Sequence, residues 1–186
     1  MTATDHDEGA AVAARVERRW TIMSACLVGF LVGMAIFAGF HRAVMPQAWV
    51  ETANPRTVHI AGEFIESNLG SALEADGSVT VRALGQQFSF TPQCLLVPTD
   101  TPVTIRATSA DVVHGFLITG TNINTMLVPG YISILPVKFK TPGEHTMPCQ
   151  EFCGLGHEGM WAMVKVIDKT AFATMAAKQR RLTCVE

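Results

Sequence analysis

The sequence has almost no charge imbalance. Its 14 lysines and arginines against 16 acidic residues leave a formal net charge of −2 over 186 residues, and without a basic stripe it excludes nucleic acid as a partner. Charged side chains are missing altogether from one block, Thr21 to Phe40. As a helix rising about 1.5 Å per residue, this block spans roughly 30 Å, the thickness of a bilayer's hydrocarbon core. It also lacks the marks of a cleaved signal: the apolar run exceeds the roughly 7–15 residues of a signal core, and bulky residues around Phe37–Phe40 occupy the place of a small-x-small cleavage site. A retained transmembrane helix over residues 20–42, in contact with the lipid bilayer, is therefore expected. Trp20 at its start suits the membrane interface.

Arg15, Arg18 and Arg19 precede the span, whereas Arg42 alone follows it closely. The positive-inside rule then puts residues 1–19 in the cytoplasm and everything after about residue 43 on the periplasmic or outer side of the cell membrane. Ala25, Gly29 and Gly33 recur every four residues and give one helix face small side chains, which let another helix approach.

No helical period follows the span until near the end of the chain. Residues 1–14 are polar, alanine-rich and unpatterned, and disorder is expected there. Residues 43–78 read as a connector: Pro46 and Pro55 punctuate its first part, and an irregular, solvated stretch with Glu63, Glu66, Glu74 and Asp76 forms the rest. From Val79 the pattern becomes short β-branched or aromatic runs: 79–83, 88–91, 103–107, 116–118, 132–139, 144–149 and 160–167. Pro92, Pro98, Pro102, Pro129-Gly130 and Pro142-Gly143 separate them, so a mainly β domain, a sandwich or barrel, is expected over 79–168. In the tail, 169–186, Asp168 can cap a short helix, with Phe172, Met175 and Ala176 as its apolar stripe.

All five cysteines but Cys26, which lies in the span, follow it. Disulfides are permitted on that side of the membrane. Bridges between Cys149 and Cys153, or from these to Cys94 and Cys184, are open by spacing, as is a Cys94–Cys184 bridge.

Chemistry concentrates in Cys149-Gln150-Glu151-Phe152-Cys153-Gly154-Leu155-Gly156-His157-Glu158-Gly159-Met160. Two thiols, an imidazole and a thioether in one short loop form a soft donor set, and the thioether favours copper over zinc. Gly154, Gly156 and Gly159 allow the loop to fold back on itself. A single blue copper needs one cysteine; two in Cys-x3-Cys suit two copper ions bridged by sulfur. Each copper then needs an imidazole. His157 supplies one, and His114, at the mouth of an upstream strand, is the candidate for the other. Alone, each residue would be ordinary core or hydrogen-bonding material; together they point to copper. His59 and His145 lack soft neighbours and are expected to be structural or exposed.

The pattern Cys-x-Glu-x-Cys-Gly-x-x-His-x-x-Met, after an upstream Asp-x-x-His-x-Phe, resembles the binuclear CuA site of cytochrome c oxidase subunit II. The single span makes it most similar to the B-family of haem–copper oxidases. The resemblance implies a cupredoxin-like β-sandwich behind one transmembrane helix, with a short C-terminal helix. It implies that Cys149 and Cys153 bridge two copper ions, that His114 and Met160 complete one, and that His157 and the backbone carbonyl of Glu151 complete the other. The Glu151 side chain resembles a magnesium-binding carboxylate at the boundary with subunit I, and Asp111 resembles a residue that orients His114. Phe88, Phe90, Phe116, Phe152 and Trp161 would form an apolar shell, with Trp161, Phe88 and Phe90 as candidates for electron entry; for the two phenylalanines core packing is the alternative, and the favoured one. Glu17 resembles a glutamate at a proton-uptake entrance.

The implied function is electron transfer within an oxidoreductase complex, from cytochrome c or a similar one-electron donor to haem in subunit I, where oxygen is reduced. The resemblance equally admits the copper subunit of a nitric oxide reductase. A free-standing membrane-tethered carrier or copper chaperone is the reading from another class, and a chaperone would need exposed, exchangeable ligands.

Overall fold

The computed structural model describes residues 3–42 and 50–184, and the chain divides into two units, Met1–Ala48 and Trp49–Glu186. The first contains helix α1, Ala3–Arg42. Its stretch Gly9–His41 is long and apolar enough to cross a membrane. Phe30, Leu31 and Phe37 on it are exposed, an arrangement suited to lipid rather than water. The hydroxyl of Thr21 donates to the Glu17 carbonyl at 2.8 Å, keeping that polar group satisfied within the helix. The helix begins at Ala3 rather than near residue 20, because the segment expected to be disordered is rich in alanine, the best helix former. The start of the connector, 43–49, lies outside the described residues.

The second unit is mainly β. Its strands are β1 (Glu51–Thr52), β2 (Gly70–Leu73), β3 (Val79–Gln86), β4 (Ser89–Thr91), β5 (Cys94–Pro98), β6 (Val103–Ser109), β7 (His114–Leu117), β8 (Asn124–Leu127), β9 (Tyr131–Val137), β10 (Gly143–Pro148) and β11 (Trp161–Ile167); helix α2 spans Lys169–Ala176. One sheet runs β1-β9-β6-β3-β2, with β4 paired to β3. A second runs β10-β11-β5, and β7-β8 form a hairpin. Alternation explains the packing. Val79, Val81 and Ala83 of β3 and Val103, Ile105 and Ala107 of β6 turn inward from one sheet, and meet Leu95 and Val97 of β5 and Val164 and Val166 of β11 from the other. Each of the buried valines, leucines and isoleucines among them contributes about 1.5–3 kcal/mol.

Four strands, β1, β2, β5 and β8, were not expected from sequence. β5 carries Leu95-Leu96-Val97, a buried run with no alternation, which pairs in parallel with β11. The stretch 62–78 also departs from its irregular reading. It holds a short 3₁₀ turn at Glu66–Asn68 and strand β2, and Glu63 is drawn in by Arg82 and Arg106. These two arginines are register partners on parallel β3 and β6. Glu63 bridges both, 3.2 Å from Arg82 and 2.5 Å from Arg106, which also meets Glu51 at 2.5 Å.

Helix α2 buries Phe172 as expected, with Met175 and Ala176 half-buried against the core. Asp168 occupies its N-cap position but makes no side-chain capping bond. The tail then clasps both sheets. Leu182 exchanges two 2.8 Å backbone bonds with Ser71 of β2, Thr183 bridges Leu95 of β5, and a disulfide joins Cys94 to Cys184 with Cα atoms 5.4 Å apart. Two strand edges are thereby covered.

Candidate metal centre

The sandwich delivers the donor groups from strand ends. His114 opens β7, Cys149 directly follows β10, and Met160 directly precedes β11. The loop between Cys149 and Met160 is closed at its neck by the Cys149 N–H, which donates to the Met160 carbonyl at 3.0 Å. Within it, the His157 N–H meets the Gly154 carbonyl and the Met160 N–H meets the His157 carbonyl, both at 3.1 Å, forming a tight turn. Gly154 has φ +136°, which favours glycine.

This folding brings the sequence-derived ligand set together. The sulfurs of Cys149 and Cys153 lie 3.9 Å apart and are not bridged to each other. A ring nitrogen of His114 and both sulfurs fall within 4.8 Å of one another. The Cys153 sulfur is 3.6 Å from His157 Nδ1 and 3.7 Å from the Met160 sulfur. The Glu151 carbonyl oxygen is 3.2 Å from the Cys149 sulfur. His114 and Met160 are fully buried, and Cys149 and Cys153 nearly so.

Two titratable groups at the site are shifted in opposite directions. Burial, followed by the neighbouring Cys149, pushes the Cys153 thiol up to about 11. A metal must therefore displace a proton to gain a thiolate there. Asp111 behaves oppositely. Burial alone would raise its pKa, but hydrogen bonds from the Gln87 amide, His114 and the Val112 amide hold it below the usual carboxylate range. Its Oδ1 is 2.8 Å from His114 Nε2. The other ring nitrogen, Nδ1, is buried with no hydrogen-bond partner among the described residues. An orphaned imidazole nitrogen beside two buried thiols fits a soft metal ion.

The aromatic groups divide. Phe90 is fully buried, edge-on to Phe116 at 5.6 Å and to His114 at 6.4 Å; of its two readings this fits core packing rather than an electron-entry surface, because β4 turns it inward. Phe152 and Trp161 are 73% and 55% exposed, so in this chain they do not close an apolar shell over the site. Phe88 is partly exposed, with its ring set against the loop. Side chains at Gly154 or Gly156 would come within 2.9 and 2.6 Å of it. His145 bonds Thr119 through Nδ1 at 2.7 Å, a structural role as expected, and His59 is exposed.

Three contributors escaped the sequence reading. Gln150 donates to Asn124 at 2.6 Å and to the Thr125 carbonyl at 3.2 Å, pinning the cysteine loop on β8. Gly115 leaves room for that loop, since a Cβ there would sit 2.5 Å from the Glu151 nitrogen. A glycine directly after a candidate ligand was the available signal. Gln87 bonds both Asp111 and Cys153, and nothing in the sequence pattern marks it.

Known proteins resemble this chain in sequence and in fold. The family described as "Cytochrome C oxidase subunit II, periplasmic domain" matches residues 79–167. Cytochrome c oxidase subunit 2 of Thermus thermophilus is 34% identical over 152 residues, covering 81% of this chain and 90% of that one. Heme-copper oxidase subunit 2 of Aeropyrum pernix is 35% identical over 94 residues, covering 48% of this chain and 39% of that one. Among solved structures, a chain of a heme-copper terminal oxidase dimer aligns with a TM-score of 0.61 at 24% identity, covering 82% of this chain and 99% of that one, and so shares its fold. The chain belongs to the cytochrome c oxidase subunit II family.

Proposed function

We propose that this chain is the electron inlet of a haem–copper oxidase, holding a binuclear copper centre in the Cys149–Met160 loop and passing electrons to haem in subunit I for oxygen reduction. The observation that carries this reading is a buried His114 that has a ring nitrogen within 4.8 Å of two unbridged cysteine sulfurs and an Nδ1 with no hydrogen-bond partner among the described residues. Cys149 and Cys153 would bridge the two ions. His114 Nδ1 and Met160 would complete one, and His157 and the Glu151 carbonyl the other. Two copper ions sharing one electron through bridging thiolates spread the charge change over many atoms, which keeps reorganisation small.

The residues around them hold the ligands in place. Asp111 fixes the His114 tautomer, Gln150 and the Cys149–Met160 backbone bond hold the loop, and the sandwich core excludes water. Buried ligands argue against a copper chaperone, which must release its cargo. Trp161 and Phe88, both exposed, would face cytochrome c or another one-electron donor. The small net charge predicts weak electrostatic steering of that donor. The Glu151 carboxylate would take up magnesium only against subunit I, and Glu17 would stand at a proton entrance on the cytoplasmic side.

Loading the full chain with copper in detergent tests the centre. Two copper ions per chain, with the unpaired electron shared equally over both nuclei in electron paramagnetic resonance, are expected. One copper per chain, or a signal confined to one nucleus, would overturn the binuclear reading. A reporter fused after residue 186 should be active only on the outer face of the membrane.

A further inference from the structure

Gln87 lies in the turn between β3 and β4 and engages two ligand-bearing segments at once. Its backbone N–H donates to Asp111 Oδ2 at 2.7 Å, and the other oxygen of that carboxylate meets His114 Nε2. Its side-chain Nε2 donates to the backbone carbonyl of Cys153 at 2.5 Å. The space for this second bond exists because residue 154 is glycine: a Cβ there would stand 2.8 Å from Gln87 Nε2. One residue thus joins the carboxylate that orients the imidazole to the peptide of a thiol.

We propose that Gln87 is a positioning residue for the copper centre, setting the separation of His114 from Cys153 through these two hydrogen bonds. The inference rests on the copper reading above. Its physical reason lies in the loop's composition. Gly154, Gly156 and Gly159 give the segment after Cys153 wide backbone freedom, whereas an electron-transfer site works best when ligand distances do not change with oxidation state. The Gln87 amide removes part of that freedom at the residue where it begins. It also polarises the Cys153 carbonyl, so its loss alters the electron density at the adjoining thiolate.

The test compares the unmutated full chain with Gln87→Met, which keeps the side chain's length and loses the donor. The variant is expected to give up copper to a Cu(I) chelator about tenfold faster, with a changed copper hyperfine pattern and a shifted midpoint potential. Its metal-free form should unfold as the unmutated chain does. A variant that only lowers the metal-free unfolding temperature, with retention, potential and hyperfine pattern unchanged, would reduce Gln87 to a structural residue and overturn the proposal. A second measurement needs no mutation. With ¹⁵N-labelled glutamine, the Gln87 side-chain amide should exchange slowly with solvent and shift on copper loading; fast exchange with no shift would also overturn the proposal. If the unmutated chain binds no copper, it is the copper reading that fails. If it holds two copper ions and the variant matches it, the inference about Gln87 alone fails.

Discussion

His114 Nε2 and Asp111 Oδ1 stand 2.8 Å apart, and this contact decides which imidazole nitrogen remains for a metal. With Nε2 engaged by the carboxylate, Nδ1 is the nitrogen left over, and it is buried with no hydrogen-bond partner among the described residues. Asp111 is held in place in turn, since its Oδ1 accepts the Val112 N–H at 2.6 Å and its Oδ2 the Gln87 N–H at 2.7 Å. Replacing Asp111 with alanine frees the ring to rotate and to change tautomer. Copper affinity should fall about 10- to 100-fold, read by competition with a chelator of known affinity, while the fold persists. Unchanged affinity would mean that His114 needs no orienting partner.

The His114 hairpin and the cysteine loop touch at Gly115. A Cβ there would sit 2.1 Å from the flexible Gln150 side-chain oxygen and, more seriously, 2.5 Å from the Glu151 backbone nitrogen. Gly115→Ala should push the loop off the hairpin, separate His114 from Cys149 and Cys153, and lower copper affinity more than about tenfold, by the same reasoning that one displaced neighbour costs that much. Metal titration followed by the copper–thiolate absorption band measures it. Full binding by the variant would show that the loop can shift without loss.

Much of the candidate centre was legible because its proposed ligands are chemically rare and four of them share one loop. Cys149, Cys153, His157 and Met160 declared themselves by type and spacing, and the alternating strands β3 and β6 by their valines and isoleucines. The neighbours were less legible. Phe88 and Phe90 look alike in sequence, and alternation would put both on one face, yet Phe90 lies in β4 and is buried whereas Phe88 stands in the turn before it and is exposed. β5 escaped notice because a strand buried on both faces does not alternate. Gln87 and Gln150 are polar residues in turns, and their importance comes from tertiary proximity alone.

Glu63 predicts acid sensitivity away from the metal. Burial alone would raise its pKa, but the hydrogen bond and charge of Arg106, with those of Arg82, hold it below 4.5. A depressed carboxylate pKa contributes stability that is complete above its unfolded value and is lost as pH falls through the folded one. Stability should therefore be level near neutrality and decline below about pH 4.5. Glu63→Gln leaves Arg82 and Arg106 side by side without their shared counter-charge. It should cost about 2 kcal/mol at about pH 7, and less in acid, by urea unfolding followed by circular dichroism. An equal loss at both pH values would remove Glu63 as the titrating group.

The Cys94–Cys184 disulfide ties the tail over the edges of β2 and β5. Its main effect is on the unfolded chain, where it closes a loop with a sequence separation of 90 residues. Changing both cysteines to serine should lower stability by about 2–4 kcal/mol without altering copper stoichiometry, because the bridge shares no atom with the ligand set. Thermal unfolding of the metal-free chain gives the first quantity and metal analysis the second. A loss of copper in the double variant would mean that the tail supports the Cys149–Met160 loop through β11.

Trp161 directly follows the proposed ligand Met160, is 55% exposed, and is anchored by its Nε1–H, which donates to the Glu158 carbonyl at 2.8 Å. A large aromatic ring held at the surface beside the proposed copper centre is suited to a donor protein's contact patch, where truncating a tryptophan commonly costs about 2 kcal/mol or more. Trp161→Ala should leave copper content and spectrum unchanged and reduction by a small-molecule reductant normal. Reduction by a donor cytochrome should slow at least about tenfold, in line with that loss. Stopped-flow reduction with each reductant separates the cases. Equal slowing with both would place the defect at the copper ligands, through Met160, and equal rates with the donor protein would move the entry point to Phe88.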